Sequence, residues 1–182
     1  YNKWGYFPSA SFAWRLSDEP FMNLEDTFVS NLKLRVGWGA TGNNNTYNDY
    51  ASSVLYATGQ NYAFNNMLTS AIYNSQIGNR NLKWETTISR NLGLDFGFLN
   101  NRLSGSLDFY WNTTKDLLMK TTIPAGSGYS YQYKNFGQTS NKGVELELDA
   151  TLLDHKDYGL NVNFNISYNR GKIDKLNSDG TS

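Results

Sequence analysis

The amino-acid sequence lacks cysteine and has a single histidine among its 182 residues. Without cysteine it offers no disulfide framework, no thiol nucleophile and no cysteine-ligated zinc site. It also lacks a surplus of either charge, with 16 basic and 16 acidic side chains, which argues against a binder attracted electrostatically to nucleic acid. Long hydrophobic runs are missing too: mean hydropathy is -0.58, and the uncharged stretch 51–79 is rich in Asn, Ser, Thr and Tyr. An apolar transmembrane helix is therefore excluded.

Neither end of the sequence has the pattern of a targeting signal or of a finished element. The sequence opens on Tyr1 without a charged and then apolar segment, and it closes on the polar run 177–182. We therefore expect a segment of a longer chain, and the missing signal carries no information about the compartment.

Aromatic residues are abundant, at 15% beside 18% charged residues, and apolar and polar residues alternate with a period of two. In one window Leu32 and Leu34 alternate with Lys33 and Arg35, and no helical repeat competes. The alternation predicts an all-β antiparallel fold with about six strands. The predicted strands lie at about residues 4–17, 31–41, 84–98, 102–115, 142–153 and 160–170.

The predicted connections alternate between short and long. Asn100 and Asn101 indicate a tight hairpin, because Asn tolerates the positive φ of such turns. The segments 42–83 and 117–141 are predicted to be long loops. Short turns therefore lie at one end of the sheet and long loops at the other.

Two architectures share this alternation. One is a soluble β-sandwich, for instance a carbohydrate-binding module, with one face on a core and the other in water. The other is a transmembrane antiparallel β-barrel. The predicted strands exceed the usual length of about 5 to 6 residues and match the about 9 to 11 that a tilted membrane strand needs. Aromatics near the stripe ends and the asymmetric connections also favour the barrel, with its long loops extracellular.

Two residues fit the barrel interpretation badly. Arg90 falls on the apolar face of its predicted strand, where a charge at mid-bilayer costs about 2 to 4 kcal/mol. It would have to lie near the rim, or the register would have to slip there. Pro8 lies inside the first predicted strand and cannot donate a ladder hydrogen bond.

Several sequence blocks resemble those of SusC/RagA-like TonB-linked outer-membrane proteins, in the family's order and spacing. The blocks are 4–9 (WGYFPS), 12–16 (FAWRL), 31–43 (NLKLRVGWGATGN), 81–87 (NLKWETT), 91–95 (NLGLD), 101–110 (NRLSGSLDFY), 114–118 (TKDLL) and 141–145 (NKGVE). Together they cover all but the last predicted strand and the tail.

The resemblance implies a 22-stranded barrel in the outer membrane of a Gram-negative bacterium, with an N-terminal plug and closing strand outside this segment. It implies import of glycan or peptide nutrients, energy from the TonB complex and a SusD-like surface lipoprotein as partner. A TonB-dependent receptor without that lipoprotein, taking metal chelates or other small ligands, is the alternative within the membrane class.

Polar side chains at alternate strand positions are predicted to line a wet lumen. We expect the carboxylates to pair with Arg15, Lys33 or Arg35, or with the plug. Paired acids for glycoside hydrolysis are the competing interpretation, but we predict no catalytic residue, no metal site and no cofactor, because His155 lies in a polar turn. The predicted lumen-lining residues are Arg15, Lys33, Arg35, Glu85, Asp95, Asp108, Tyr110, Glu145, Glu147 and Asp149.

Aromatic residues also gather in the predicted long loops. Aromatic rings beside amide groups suit stacking on sugars, and Tyr-rich loops suit protein contacts equally well. We therefore predict contacts with substrate or with the lipoprotein, against the alternative that these rings only pack on each other. The residues are Tyr56, Tyr62, Tyr129, Tyr131, Tyr133 and Phe136.

Overall fold

The computed structural model describes residues 4–22, 27–44 and 50–176, and its fold is all-β. Within these ranges, short 3-10 turns at Leu16–Asp18 and Ala125–Ser127 accompany the strands. No helix in these three ranges is long and apolar enough to cross a membrane. The strands are β1 Ser9–Arg15, β2 Val29–Asn43, β3 Leu55–Phe64, β4 Met67–Ile77, β5 Glu85–Phe98, β6 Leu103–Thr122, β7 Tyr131–His155 and β8 Tyr158–Lys175.

The strands form one sheet with the order β1-β2-β5-β6-β7, which β8 continues along β7. All of these neighbours pair antiparallel. The hairpin of β3 and β4 attaches separately, because β4 pairs with the start of β7 in parallel at Gln76 and Tyr131. The predicted antiparallel sheet is thereby confirmed, with one short parallel contact added.

The register separates an apolar face from a polar face. Leu34, Leu94, Leu107, Leu146 and Ile166 lie directly opposite one another across five strands. We call the side of the sheet that carries this row the apolar face and the opposite side the polar face. Since the side-chain period of a strand is two, this register fixes both faces wherever the ladder continues without a shift.

The apolar face is not covered by other parts of the described chain. Phe109 and Trp111 of the middle strand β6 remain 44% and 45% exposed. Within the described ranges, the buried hydrophobic side chains are Ala51 and Leu82, and both lie outside the strands. A soluble sandwich would bury this face in a core, so the uncovered face contradicts the sandwich alternative.

The tight turns follow the Asn signals in the sequence. Leu99, Asn100 and Asn101 all have positive φ between β5 and β6, and Arg102 donates its amide to the carbonyl of Leu99. This confirms the predicted hairpin. A second short turn joins β7 to β8, where the ring of His155 stacks on Tyr158.

The segments predicted as long loops contain more strand than expected. The range 42–83 includes the β3–β4 hairpin, which turns at Asn65 and Asn66 with φ of 53° and 60°. In 117–141, β6 continues to Thr122 and β7 begins at Tyr131. The alternation is interrupted there because the ladder shifts register between residues 114 and 117, and that shift conceals the continuing strands.

The structure shows where Pro8 and Arg90, the two residues that fitted the barrel interpretation badly, lie. Strand β1 begins directly after Pro8, whose carbonyl still accepts the amide of Ala40, so the missing N–H lies at the strand end. Strand β1 is therefore shorter than predicted. Arg90 lies between Trp38 and Trp111 in register, so no slip occurs and the residue does lie on the apolar face.

The assignment of faces is tested by placing one charge on either face at adjacent positions. Leu107→Arg puts a cation in the middle of the apolar face, which costs about 2 to 4 kcal/mol if lipid covers it. Ser106→Arg puts the same side chain on the polar face, opposite Asp95 and Glu147. We expect the amount of folded full-length protein recovered from cell envelopes to fall for Leu107→Arg and to stay near wild type for Ser106→Arg. Equal losses would contradict the assignment.

Candidate functional site

An ion-pair network lies at the centre of the polar face. Arg35 on β2 donates from Nε to Asp95 Oδ1 and Oδ2 at 2.9 and 3.0 Å, and from Nη2 to Asp95 Oδ1 at 2.7 Å. The same Nη2 donates to Asp108 Oδ2 at 3.0 Å. Lys33 adds a longer contact to Asp95 at 3.8 Å. The forked guanidinium thus joins three strands, a geometry that an ammonium group cannot reproduce.

A glycine lets Arg35 reach across β5. Gly93 is the direct partner of both Arg35 and Asp108 in the ladder. A Cβ built on Gly93 would lie 2.5 Å from Asp108 Oδ1 and 2.7 Å from Arg35 Cζ. The side chains of β2 and β6 therefore meet over the place where any other residue would put its side chain.

The remaining carboxylates of the polar face lie on β7. Glu145 is directly opposite Asp108, Glu147 opposite Ser106, and Asp149 opposite Ser104. Asp149 accepts a hydrogen bond from Asn163. In the described part of the chain Glu145 and Glu147 form no ion pair with the predicted cations, because Arg35 is engaged by Asp95 and Asp108.

Three more predicted lumen residues have other neighbours than expected. Arg15 pairs with Asp18 in the adjoining turn, at 3.3 Å and largely exposed. The ring of Tyr110 lies over Gly143 on the neighbouring strand. Glu85 lies at the long-connection end, where Oε1 accepts the Leu118 amide at 2.8 Å and Oε2 accepts Asn43 Nδ2 at 3.1 Å.

The predicted loop aromatics divide into two groups. Tyr131 and Tyr133 belong to β7, with their rings edge-to-face at 5.9 Å and Lys120 Nζ 3.9 Å above the Tyr131 ring. Phe136, also in β7, and Tyr129, just before it, are half-buried. Tyr56 and Tyr62 lie on the β3 strand of the hairpin and are exposed.

Several polar residues that were not predicted hold the segments that flank the hairpin in place. Gln76 is fully buried, and its Nε2 donates to the carbonyls of Tyr50 and Ser53 at 2.8 and 2.9 Å. Asn79 donates to the Tyr133 carbonyl at 2.9 Å. Asn135 donates to the carbonyls of Lys83 and Asp116 and accepts the Lys83 amide. These amides occur among many others in the sequence, and only the fold distinguishes them.

The chemistry of the polar face is ionic and hydrogen-bonding. Over residues 4–22, 27–44 and 50–176, no three His, Asp or Glu side chains come together as metal ligands would. His155 is engaged in a ring stack at the far turn, away from the carboxylates of the face. The arrangement can hold water, polar solutes or another polar protein surface.

The geometry of the network predicts different costs for two neighbouring cations. Arg35→Gln leaves Asp95 and Asp108 without their shared partner, and we expect a loss of about 1 to 2 kcal/mol, limited because the group is one-third exposed. Lys33→Gln removes only the 3.8 Å contact and should cost less than about 0.5 kcal/mol. The measurement is the temperature at which the purified full-length protein loses its compact gel mobility. Equal midpoints for the two variants would contradict a structural role for Arg35.

The whole sequence matches the family model described as "TonB dependent receptor-like, beta-barrel", over residues 1–182. The chain is 39% identical to TonB-dependent receptor SusC of Bacteroides thetaiotaomicron over 179 residues. That match covers 96% of this chain and 18% of the relative. TonB-dependent receptor P3 of Formosa agariphila is 36% identical, with 96% of this chain and 17% of the relative covered.

Solved structures agree with this likeness. The RagAB peptide importer in its open-open state matches with a TM-score of 0.81 at 34% identity, covering 96% of this chain and 18% of that one. Its closed-closed state matches with a TM-score of 0.76, covering 94% and 18%. The chain thus spans less than a fifth of the length of these relatives. It belongs to the TonB-dependent receptor family and forms part of the β-barrel of that family.

Proposed function

We propose that the full-length protein imports oligosaccharide or peptide nutrients across the bacterial outer membrane, with energy from the TonB complex. One observation carries this proposal: a continuous antiparallel sheet has an uncovered apolar face and an ionic polar face. An isolated sheet of this kind would aggregate in water, whereas lipid on one side and a wet interior on the other satisfy both faces. The similarity to SusC and to a peptide importer supports the nutrient class.

On this proposal the polar face borders the lumen. Charges there are mixed, with Arg35 between Asp95 and Asp108 and with Glu145 and Glu147 nearby. A surface of mixed charge does not select a strongly anionic or strongly cationic cargo. It suits hydrated oligomers and the polar surface of a plug domain.

The β3–β4 hairpin is the proposed contact with a SusD-like surface lipoprotein. Its tip exposes Tyr62, Phe64, Met67 and Leu68, with Phe64 66% and Leu68 79% exposed. It lies at the long-connection end of the sheet, which faces outward in barrels of this type. Exposed apolar clusters on one element are typical of protein contacts. The aromatic residues Tyr129, Tyr131, Tyr133 and Phe136 lie at the same end and are proposed to contact substrate or the same partner.

The function is tested by growth of a deletion strain on a panel of oligosaccharides and peptides as sole nutrients. We expect growth to fail on one class of oligomer and to continue on its monomers, since small solutes enter through other pores. The wild-type gene should restore growth. Equal growth on every oligomer would overturn the proposal.

The same deletion strain, carrying variants of the full-length gene, tests the proposed contact between the β3–β4 hairpin and the lipoprotein. In the variant Tyr62→Ser, Phe64→Ser, Leu68→Ser, co-purification of the lipoprotein should fall about tenfold or more, as loss of interface anchors predicts. The matched control Thr58→Ala, Gln60→Ala, Thr69→Ala changes three exposed polar residues of the same hairpin. It should leave co-purification unchanged. An equal loss in both variants would contradict an apolar contact.

A further inference from the structure

A row of aromatic and basic side chains crosses the apolar face. Ladder pairs connect Trp38 to Arg90, Arg90 to Trp111, Trp111 to Lys142, and Lys142 to Arg170. We call these five residues the basic–aromatic row. With neighbouring strands about 4.8 Å apart, its cations extend over about 14 Å from β5 to β8.

The row is the limit of the aliphatic part of the apolar face. On the side toward the tight turns the next paired row is entirely apolar. On the other side, the next paired row contains Ile88 and then the polar residues Thr113 and Ser140. A change from aliphatic to basic and indole side chains marks the level of the lipid headgroups in membrane proteins. The next row toward the tight turns consists of Phe12, Val36, Leu92, Phe109, Val144 and Tyr168.

The cations of the row have no counter-charge within the described ranges. Lys142 and Arg170 lie directly opposite each other, an arrangement of like charges that destabilises a strand pair unless an anion lies between them. The nearest carboxylate on this face, Asp174, already accepts Ser140 and Gln138 and lies 3.8 Å from Lys172. The row is therefore complementary to an external anion.

A groove leads from the row into the aliphatic part of the face. It has a volume of about 620 Å³ and opens outward. Val144 is smaller than its direct partners Phe109 and Tyr168, and it leaves the depression between their rings. Trp111 and Lys142 form the end nearest the cations, and Leu92 lies alongside. An apolar groove that ends at cations matches an acyl chain attached to an anionic headgroup.

The side of the membrane on which the basic–aromatic row lies follows from the positions of the long connections, and this step rests on the proposed function. The row lies toward the end of the sheet that carries the long connections, which is the outer side in barrels of this type. We propose that the groove and the basic–aromatic row bind a phosphorylated glycolipid of the outer leaflet. Its acyl chain lies in the groove, and its phosphates contact Arg90, Lys142 and Arg170. A span of about 14 Å exceeds one phosphodiester and suits phosphates carried on sugars, for which the Trp111 ring offers a stacking face.

The experiment measures lipid binding by delipidated full-length protein in detergent, using native mass spectrometry. The probes are purified lipopolysaccharide of the host bacterium and, separately, phosphatidylglycerol. We expect wild type to bind lipopolysaccharide at least about tenfold more tightly than the variant Arg90→Gln, Lys142→Gln, Arg170→Gln, because each cation near an anionic surface adds to affinity. A second variant, Val144→Phe, fills the groove without changing any charge and should also reduce binding.

A matched control removes three exposed cations outside the row, as Lys83→Gln, Lys134→Gln, Lys156→Gln, and should bind like wild type. Unchanged binding in the triple row variant and in Val144→Phe would overturn the inference, as would equal binding of phosphatidylglycerol. Cells that carry Val144→Phe should still grow on the oligomer whose uptake requires this protein. A wild-type protein that supports growth but binds no lipopolysaccharide would overturn this inference alone and leave the proposed function standing.

Discussion

The antiparallel register that runs from β1 through β2, β5, β6, β7 and β8 determines which side chains share a face of the sheet. Because the side-chain period is two, a slip of one residue would exchange Leu107 with Asp108 across the sheet and bring the ionic network into the apolar face. Such a slip would cost far more than any single contact contributes. The continuous row of Leu34, Leu94, Leu107, Leu146 and Ile166 shows that the five strands are in register at the centre of the sheet.

This register determines which side chains meet on each face of the sheet. On the polar face it brings Arg35 within reach of two carboxylates that lie 60 and 73 residues away in sequence. On the apolar face it collects cations and indole rings into one row at the limit of the aliphatic side chains. The hairpin of β3 and β4 is outside the main ladder. Its β4 strand pairs with the start of β7, Asn79 bonds the Tyr133 carbonyl of β7, and Gln76 bonds the segment that precedes β3.

The sequence is sufficient to predict the strands and their faces wherever alternation is regular, as from Leu32 to Ala40. It fails where the ladder shifts: Asp116 has positive φ beside a register shift, and the continuation of β6 to Thr122 was therefore predicted as loop. The β3–β4 hairpin had a usable signal, because Asn65 and Asn66 repeat the turn chemistry of Asn100 and Asn101. Partners such as Arg35 with Asp95 depend on register between distant strands, so composition and spacing identified the residues but not the pairs.

Spin-label accessibility along β6 tests most directly whether the apolar face contacts lipid while the polar face contacts water. The chain contains no cysteine, so single cysteines placed one at a time from 103 to 113 label defined positions, in full-length protein from which any other cysteine has been removed. In lipid vesicles, oxygen should collide most with labels at Leu107 and Phe109, and a water-soluble nickel chelate with labels at Ser104 and Ser106. Accessibility to the two reagents should therefore alternate with a period of two along β6. Access of the chelate to all positions alike would contradict this prediction.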